Sequence, residues 1–186
     1  MKRILIIDNF DSFVYNIYQY IASSEVHVDV KANNDLNNAE GYDGYIISPG
    51  PGNPERQEDR GNLYEFIDRN RSAKFLGVCF GNQILGYYLG SSIVLSKRLM
   101  HGQPDIIVHG DSPLYRNVPE KFTAIRYHSL VLNGTKNIVV DAYSQNDKEI
   151  MGFHSKDGNL FGVQYHPESY YSEYGKIIFK NFIDAL

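Results

Sequence analysis

The sequence predicts an α/β fold: one domain, an open, doubly wound, mostly parallel sheet with helices on both faces, and a strand-rich second half. Three observations predict it. Apolar runs of strand length alternate with segments of helical period through the first half. The second half carries short apolar runs separated by turn residues. The 186 residues suit one domain with a sizeable core, and no linker, repeat or low-complexity tract divides residues 1–186.

The elements follow in order. Arg3 to Asp8 is a continuous apolar run and reads as a buried strand. Asp11 to Ala22 places Phe13, Val14, Ile17 and Ile21 at helical spacing. Val26, Val28 and Val30 alternate as in a second strand, and Gly44 to Ser48 is a third. Asn62 to Asn70 reads as a helix, Lys74 to Val78 as a fourth strand, and Phe80 to about Leu89 as a helix stopped by Gly90. Further strands are expected at Asp105 to His109, Thr123 to Tyr127, Ile138 to Tyr143, Ile150 to His154 and Leu160 to Tyr165. Asp157-Gly158 between the last two suggests a hairpin. Tyr174 to Leu186 closes the chain as an amphipathic helix.

Composition excludes several classes. The net charge of −4 builds no basic stripe, so nucleic acid is not an expected partner. Apolar runs of about six residues are too short for a bilayer, so no membrane partner is expected. Met1 to Ile7 enters a strand pattern directly, without the look of a signal peptide, which gives the expectation of a cytoplasmic protein. The six histidines show no paired ligand spacing, so a metal is not expected; no cofactor is expected either.

Three candidate sites follow predicted strands. Gly77-Val78-Cys79-Phe80-Gly81 has the form Gly-x-nucleophile-x-Gly at a strand-to-helix turn. Such a turn exposes the nucleophile, the helix N-terminus favours a thiolate, and the N–H of Phe80 can face an oxyanion. The only cysteine of the chain can equally be a small buried hydrophobe in a tight turn. Tyr165-His166-Pro167-Glu168 supplies a base and an orienting carboxylate; Pro167 favours extended backbone at His166, which would turn both side chains the same way. Read alone, it is also a surface His beside a solvated Glu. Ser48-Pro49-Gly50-Pro51-Gly52 is a rigid loop with unobstructed glycine N–H groups. It is neither a phosphate loop nor a dinucleotide fingerprint, and alone it can be a plain turn. All three lie where an open α/β sheet binds ligands, beyond the carboxyl ends of strands.

These residues resemble the triad class of glutamine amidotransferases, and most closely the small subunits of anthranilate synthase and aminodeoxychorismate synthase. The resemblance covers essentially the whole chain. It rests on Asp8 to Asn16 (DNFDSFVYN), Ser48 to Gly52 (SPGPG), Gly77 to Gln83 (GVCFGNQ), Met100 to Gly102 (MHG), Arg126 to Leu130 (RYHSL) and Gly162 to Ser169 (GVQYHPES), in the family order. It implies a flavodoxin-like amidotransferase domain over residues 1–186. It implies Cys79 as nucleophile on L-glutamine, His166 as base and acid, and Glu168 as its orienter. Gly52 or Gly50, on the loop with Pro51, would stabilise the oxyanion with Phe80. Gln83, Ser129 and Leu130 would hold the amino-acid end of glutamine. Ammonia would pass to a large, separate chorismate-binding synthase subunit, making anthranilate for tryptophan biosynthesis or, alternatively, aminodeoxychorismate for the folate pathway. A stand-alone γ-glutamyl hydrolase or peptidase of the same fold is a further reading; DNFDSF speaks against it. Three departures from the family pattern stand out: Asn82 where His is usual, Tyr165 where Phe is usual, and Gln103-Pro104-Asp105 after MHG. The last segment is expected to touch the synthase.

Overall fold

The structure is a computed structural model describing residues 1–23 and 25–186. Its centre is one mixed sheet. Lys2–Asp8 (β1), Val26–Ala32 (β2), Gly44–Ile47 (β3) and Lys74–Val78 (β4) form its parallel half together with Leu160–Val163 (β11). Ser92–Leu95 (β5) pairs instead with Leu130–Asn133 (β8) in a separate two-stranded ribbon. Gln103–His109 (β6), Lys121–Arg126 (β7), Ile138–Ser144 (β9) and Ile150–Ser155 (β10) extend the main sheet by antiparallel pairing. The strand order is β2-β1-β3-β4-β11-β10-β9-β6-β7. The expected hairpin at Asp157-Gly158 joins β10 to β11.

Helices Val14–Ile21 (α1) and Gly175–Asp184 (α5) cover one face. Gln57–Arg60 (α2) is a single turn, while Leu63–Arg69 (α3) and Phe80–Tyr88 (α4) lie on the other face. The alternation of strand side chains sets the layering. Ile4 and Ile6 of β1 enter the core with Ile17, Phe179 and Phe182, whereas Leu5 and Ile7 enter the opposite core with Phe66, Phe80 and Ile84. Both faces of β1 are therefore buried, which is why its sequence is an unbroken apolar run. Each such side chain, fully buried, contributes about 1.5–3 kcal/mol.

The sequence reading differs from the structure in particular places. The first helix begins at Val14 rather than Asp11, because Asp11 and Phe13 form a side-chain turn: Phe13 N–H donates to Asp11 Oδ1 at 2.8 Å. The last strand ends at Val163, not Tyr165. The β5–β8 ribbon, α2 and a 3₁₀ turn at Pro113–Tyr115 were not expected. Their segments are too short, or too polar, to carry a period.

Candidate active site

β3, β4 and β11 are adjacent and parallel, so their carboxyl ends meet at one edge. That edge brings the three predicted sites together. Ser48 follows β3, Cys79 follows β4, and Tyr165-His166 lie just beyond β11.

Cys79 caps the N-terminus of α4 with φ 52° and ψ −100°, a left-handed conformation that a non-glycine residue adopts only at a cost of about 1–3 kcal/mol. The turn closes through its own backbone: Cys79 N–H donates to Val163 O at 2.8 Å, and Gln83 N–H donates to Cys79 O at 3.1 Å. The tightness explains the flanking glycines. A Cβ on Gly77 would stand 2.3 Å from the Gly81 backbone, so no larger residue lets strand and helix meet. The strained elbow expected from the sequence is present.

A cavity of about 180 Å³ opens beside Cys79, lined by Gly50, Pro51, Gly52, Phe80, Gln83 and the segment Tyr127 to Leu130. Every expected oxyanion and substrate-binding residue is on this wall. The N–H groups of Gly52 and Phe80 donate to no acceptor among the described residues. Gly52 has φ +113°, open to glycine, and a Cβ there would meet the Asp59 carboxyl at 2.6 Å. Gln83 donates from Nε2 to Leu130 O at 2.8 Å, which leaves its side-chain oxygen as the acceptor near the cavity.

His166 lies buried behind Cys79, outside the cavity wall. Its Nδ1 bonds Glu168 Oε1 at 2.6 Å, and its Nε2 has no hydrogen-bond partner among the described residues. Burial pushes the imidazole toward neutrality, but the Glu168 carboxylate and the Cys79 sulfur outweigh burial and raise its pKa well above the usual value. The contact expected between His166 and Glu168 forms, with the chain extended at His166 but turning at Pro167-Glu168. His166 makes an isolated bridge to Ile125, and the chain then turns, with Ser169 N–H donating to His166 O at 3.2 Å.

Other motif residues support these groups. Asn9 donates from Nδ2 to Ser48 O at 2.8 Å and receives Asn33 Nδ2 at 3.0 Å, so the first motif fixes the start of the Gly50–Gly52 loop. Phe13 and Tyr127 clothe the His166 ring at centroid distances of 5.6 and 5.2 Å. Met100 N–H donates to His128 O at 3.1 Å, which seats the MHG segment behind the cavity wall. Arg126 is fully buried and binds Asp105 at 2.5 Å, Asp147 at 2.8 Å and Glu149 at 2.5 Å, while its Nε donates to His128 Nε2 at 3.0 Å. Burial, then the Arg126 and His166 charges, push the His128 pKa down to about 3.

The Gln103-Pro104-Asp105 departure lies at the start of β6. Gln103 and Pro104 are exposed, but Asp105 points inward as a partner of Arg126. Asn9, Phe13, Arg126, Tyr127, His128 and Gln164 were missed as site residues. Each lies inside a quoted motif, and that membership was the available signal.

Comparison with known proteins gives the family. Residues 5–186 match the model of the glutamine amidotransferase class-I family. The chain is 40% identical to anthranilate synthase component 2 of Saccharolobus solfataricus, over all of both chains. It is 40% identical to the bifunctional protein TrpGD of Thermotoga maritima, covering 99% of this chain and 32% of that one. Among solved structures, a Thermoplasma acidophilum protein provisionally described as a GMP synthase component superposes with a TM-score of 0.89 at 25% identity, over 99% of this chain and 93% of the other. A glutamine amidotransferase of Thermotoga maritima shares the fold, with a TM-score of 0.74 at 19% identity over 99% and 81% of the two chains. With a cysteine elbow, a buried His–Glu pair and a glycine loop converging at the end of three parallel strands, and the family model matched from residue 5 onward, this chain belongs to the class-I glutamine amidotransferases.

Proposed function

We propose that the chain is the glutamine-hydrolysing subunit of an anthranilate synthase, delivering ammonia to a separate chorismate-aminating subunit. The observation that carries the chemistry is the Cys79–His166–Glu168 constellation beside a cavity with two N–H donors that meet no acceptor among the described residues. Cys79 Sγ attacks the side-chain amide carbon of L-glutamine while His166 takes the thiol proton. The N–H groups of Gly52 (or Gly50) and Phe80 hold the oxyanion. His166 returns a proton to the amide nitrogen, the C–N bond breaks, and ammonia leaves a γ-glutamyl thioester. Water, deprotonated by His166, adds to the thioester; glutamate and the free thiol result. Gln83 receives the α-ammonium at its side-chain oxygen, and Ser129 with Leu130 seats the rest of the amino-acid end.

The acceptor reading is supported by relatives named anthranilate synthase component 2, matched along essentially their whole length. It is further supported by exposed aromatic and apolar side chains next to the site motifs: Phe10, Tyr15, Leu99, Tyr170 and Tyr171. A continuous nine-stranded sheet supports treating residues 1–186 as one amidotransferase domain. A cytoplasmic location suits a nucleophile that has to stay a free thiol. No helix among the described residues is long and apolar enough to cross a membrane.

The test is Cys79→Ser assayed with chorismate and the co-purifying large subunit. Glutamine-dependent synthesis should disappear and ammonia-dependent synthesis should persist. Loss of both, or of neither, overturns the assignment. The product formed from chorismate separates anthranilate from aminodeoxychorismate, and vigorous glutaminase activity indifferent to any synthase would indicate a stand-alone hydrolase.

A further inference from the structure

Gln164 is fully buried between the end of β11 and His166, and none of the steps above uses it. Its backbone is pinned, with N–H donating to Met151 O at 2.9 Å. Two side-chain amides converge on its Oε1: Asn82 Nδ2 at 3.1 Å and Gln83 Nε2 at 3.2 Å. Its own Nε2 stands 3.7 Å from Cys79 Sγ.

The orientation of this amide is forced. Gln83 Nε2 also donates to the carbonyl of Leu130 at 2.8 Å. A carbonyl only accepts, so the Gln83 atom there is nitrogen. The same NH₂ group then presents its second hydrogen to Gln164, which has to answer with oxygen. Asn82 Nδ2 donates to the same oxygen, while its own Oδ1 meets no partner among the described residues. The NH₂ of Gln164 is left facing the sulfur. Besides His166, Sγ faces the Tyr127 backbone carbonyl at 3.9 Å, which accepts from a thiol but repels a thiolate.

We infer that Gln164 is a positioning residue for Cys79, the middle of an amide relay that runs from the glutamine seat at Gln83 to the nucleophilic sulfur. The donor on the sulfur favours its anionic form, both before attack and when the thioester breaks. Gln83 belongs to both systems, so a substrate ammonium on its oxygen polarises the NH₂ that orients Gln164. Asn82, the departure from the usual His, acts as the second clamp.

The inference rests on Cys79 being the nucleophile, and the test separates the two. The rate of Cys79 alkylation by iodoacetamide is measured against pH in the full chain, with folding followed by circular dichroism. Gln164→Met keeps the length and loses the donor; the pH of half-maximal alkylation should rise by about one unit, from the ordinary strength of a hydrogen bond to an ion. Asn82→Ala should raise it by less, because Gln83 still holds the amide. In the synthase complex, Gln164→Met should lower kcat for glutamine more than it raises KM, whereas Gln83→Leu should raise KM as well. A folded Gln164→Met chain with an unmoved alkylation profile overturns the inference. If that variant does not fold, Asn82→Ala and Gln83→Leu decide: profiles identical to the wild type overturn it. Were Cys79 in the wild type unreactive and unprotected by glutamine, the nucleophile assignment itself would fall instead.

Discussion

Replacing Glu168 by Gln probes the charge that holds His166. The carboxylate and imidazole are both buried and 2.6 Å apart. Gln has the same shape and keeps an oxygen for Nδ1, so the change removes charge rather than contact. Unit charges about 4 Å apart at an effective permittivity of about 20 attract by about 4 kcal/mol. That equals about three pH units at roughly 1.36 kcal/mol each. The imidazolium forms during attack by Cys79, so kcat/KM for glutamine should fall by about 10²–10³. KM should change little, because Glu168 touches no cavity wall. The assay is glutamine hydrolysis in the complex with the large subunit, together with an NMR titration of His166. Ammonia-dependent synthesis should be unchanged. If kcat/KM stays within about tenfold of the wild type while the His166 titration moves down, the imidazolium is not part of the transition state and the reasoning fails.

The same pairs make stability depend on pH. His166 has a raised pKa, so its stabilisation is complete below the unfolded value of about 6.5 and is lost as pH rises through the folded one; thermal melts should show Glu168→Gln costing more at pH 6 than at pH 9. His128, pushed down to about 3, runs the other way: its contribution is complete above about 6.5 and is lost as pH falls toward 3, and His128→Gln should flatten the decline in melting temperature between pH 6.5 and 4. Arg126→Met leaves Asp105, Asp147 and Glu149 buried without their cation and should cost about 3–5 kcal/mol at neutral pH, with part of the loss recovered on acidification in denaturant melts. Gly52→Ala forces a side chain into positive φ against Asp59, and should abolish most glutamine hydrolysis while the far-ultraviolet spectrum stays that of the wild type.

The parallel half of the fold was legible because burial on both faces writes itself as apolar runs, as in Ile4 to Ile7 and Tyr45 to Ile47. The elbow was legible for a related reason: a Cβ on Gly77 would meet the Gly81 backbone of α4, and one on Gly81 would meet the Ile47 carbonyl of β3, so both positions admit only glycine. The β5–β8 ribbon was not legible. Ser92 to Leu95 is largely exposed and gains its strand from pairing with Leu130 to Asn133, a partner far along the chain. The His166–Glu168 contact was foreseen, but not the turn at Pro167-Glu168 or the bridge of His166 to Ile125, which depends on where β7 ends. The ion cluster of Arg126 was hidden because its acids come from β6 and from the turn after β9, and only the folded sheet brings them to one arginine. The Gln164 relay was hidden inside a motif whose meaning had been assigned to His166 and Glu168.

The central claim is that Cys79 carries the glutamyl group. The direct measurement is mass spectrometry of peptides from the complex, quenched in acid during turnover of L-glutamine. One glutamyl adduct should appear on the peptide containing Cys79, disappear on treatment with hydroxylamine, and be absent from Cys79→Ser. Continued glutamine hydrolysis by Cys79→Ser, with no adduct on that peptide in the wild type, would contradict it.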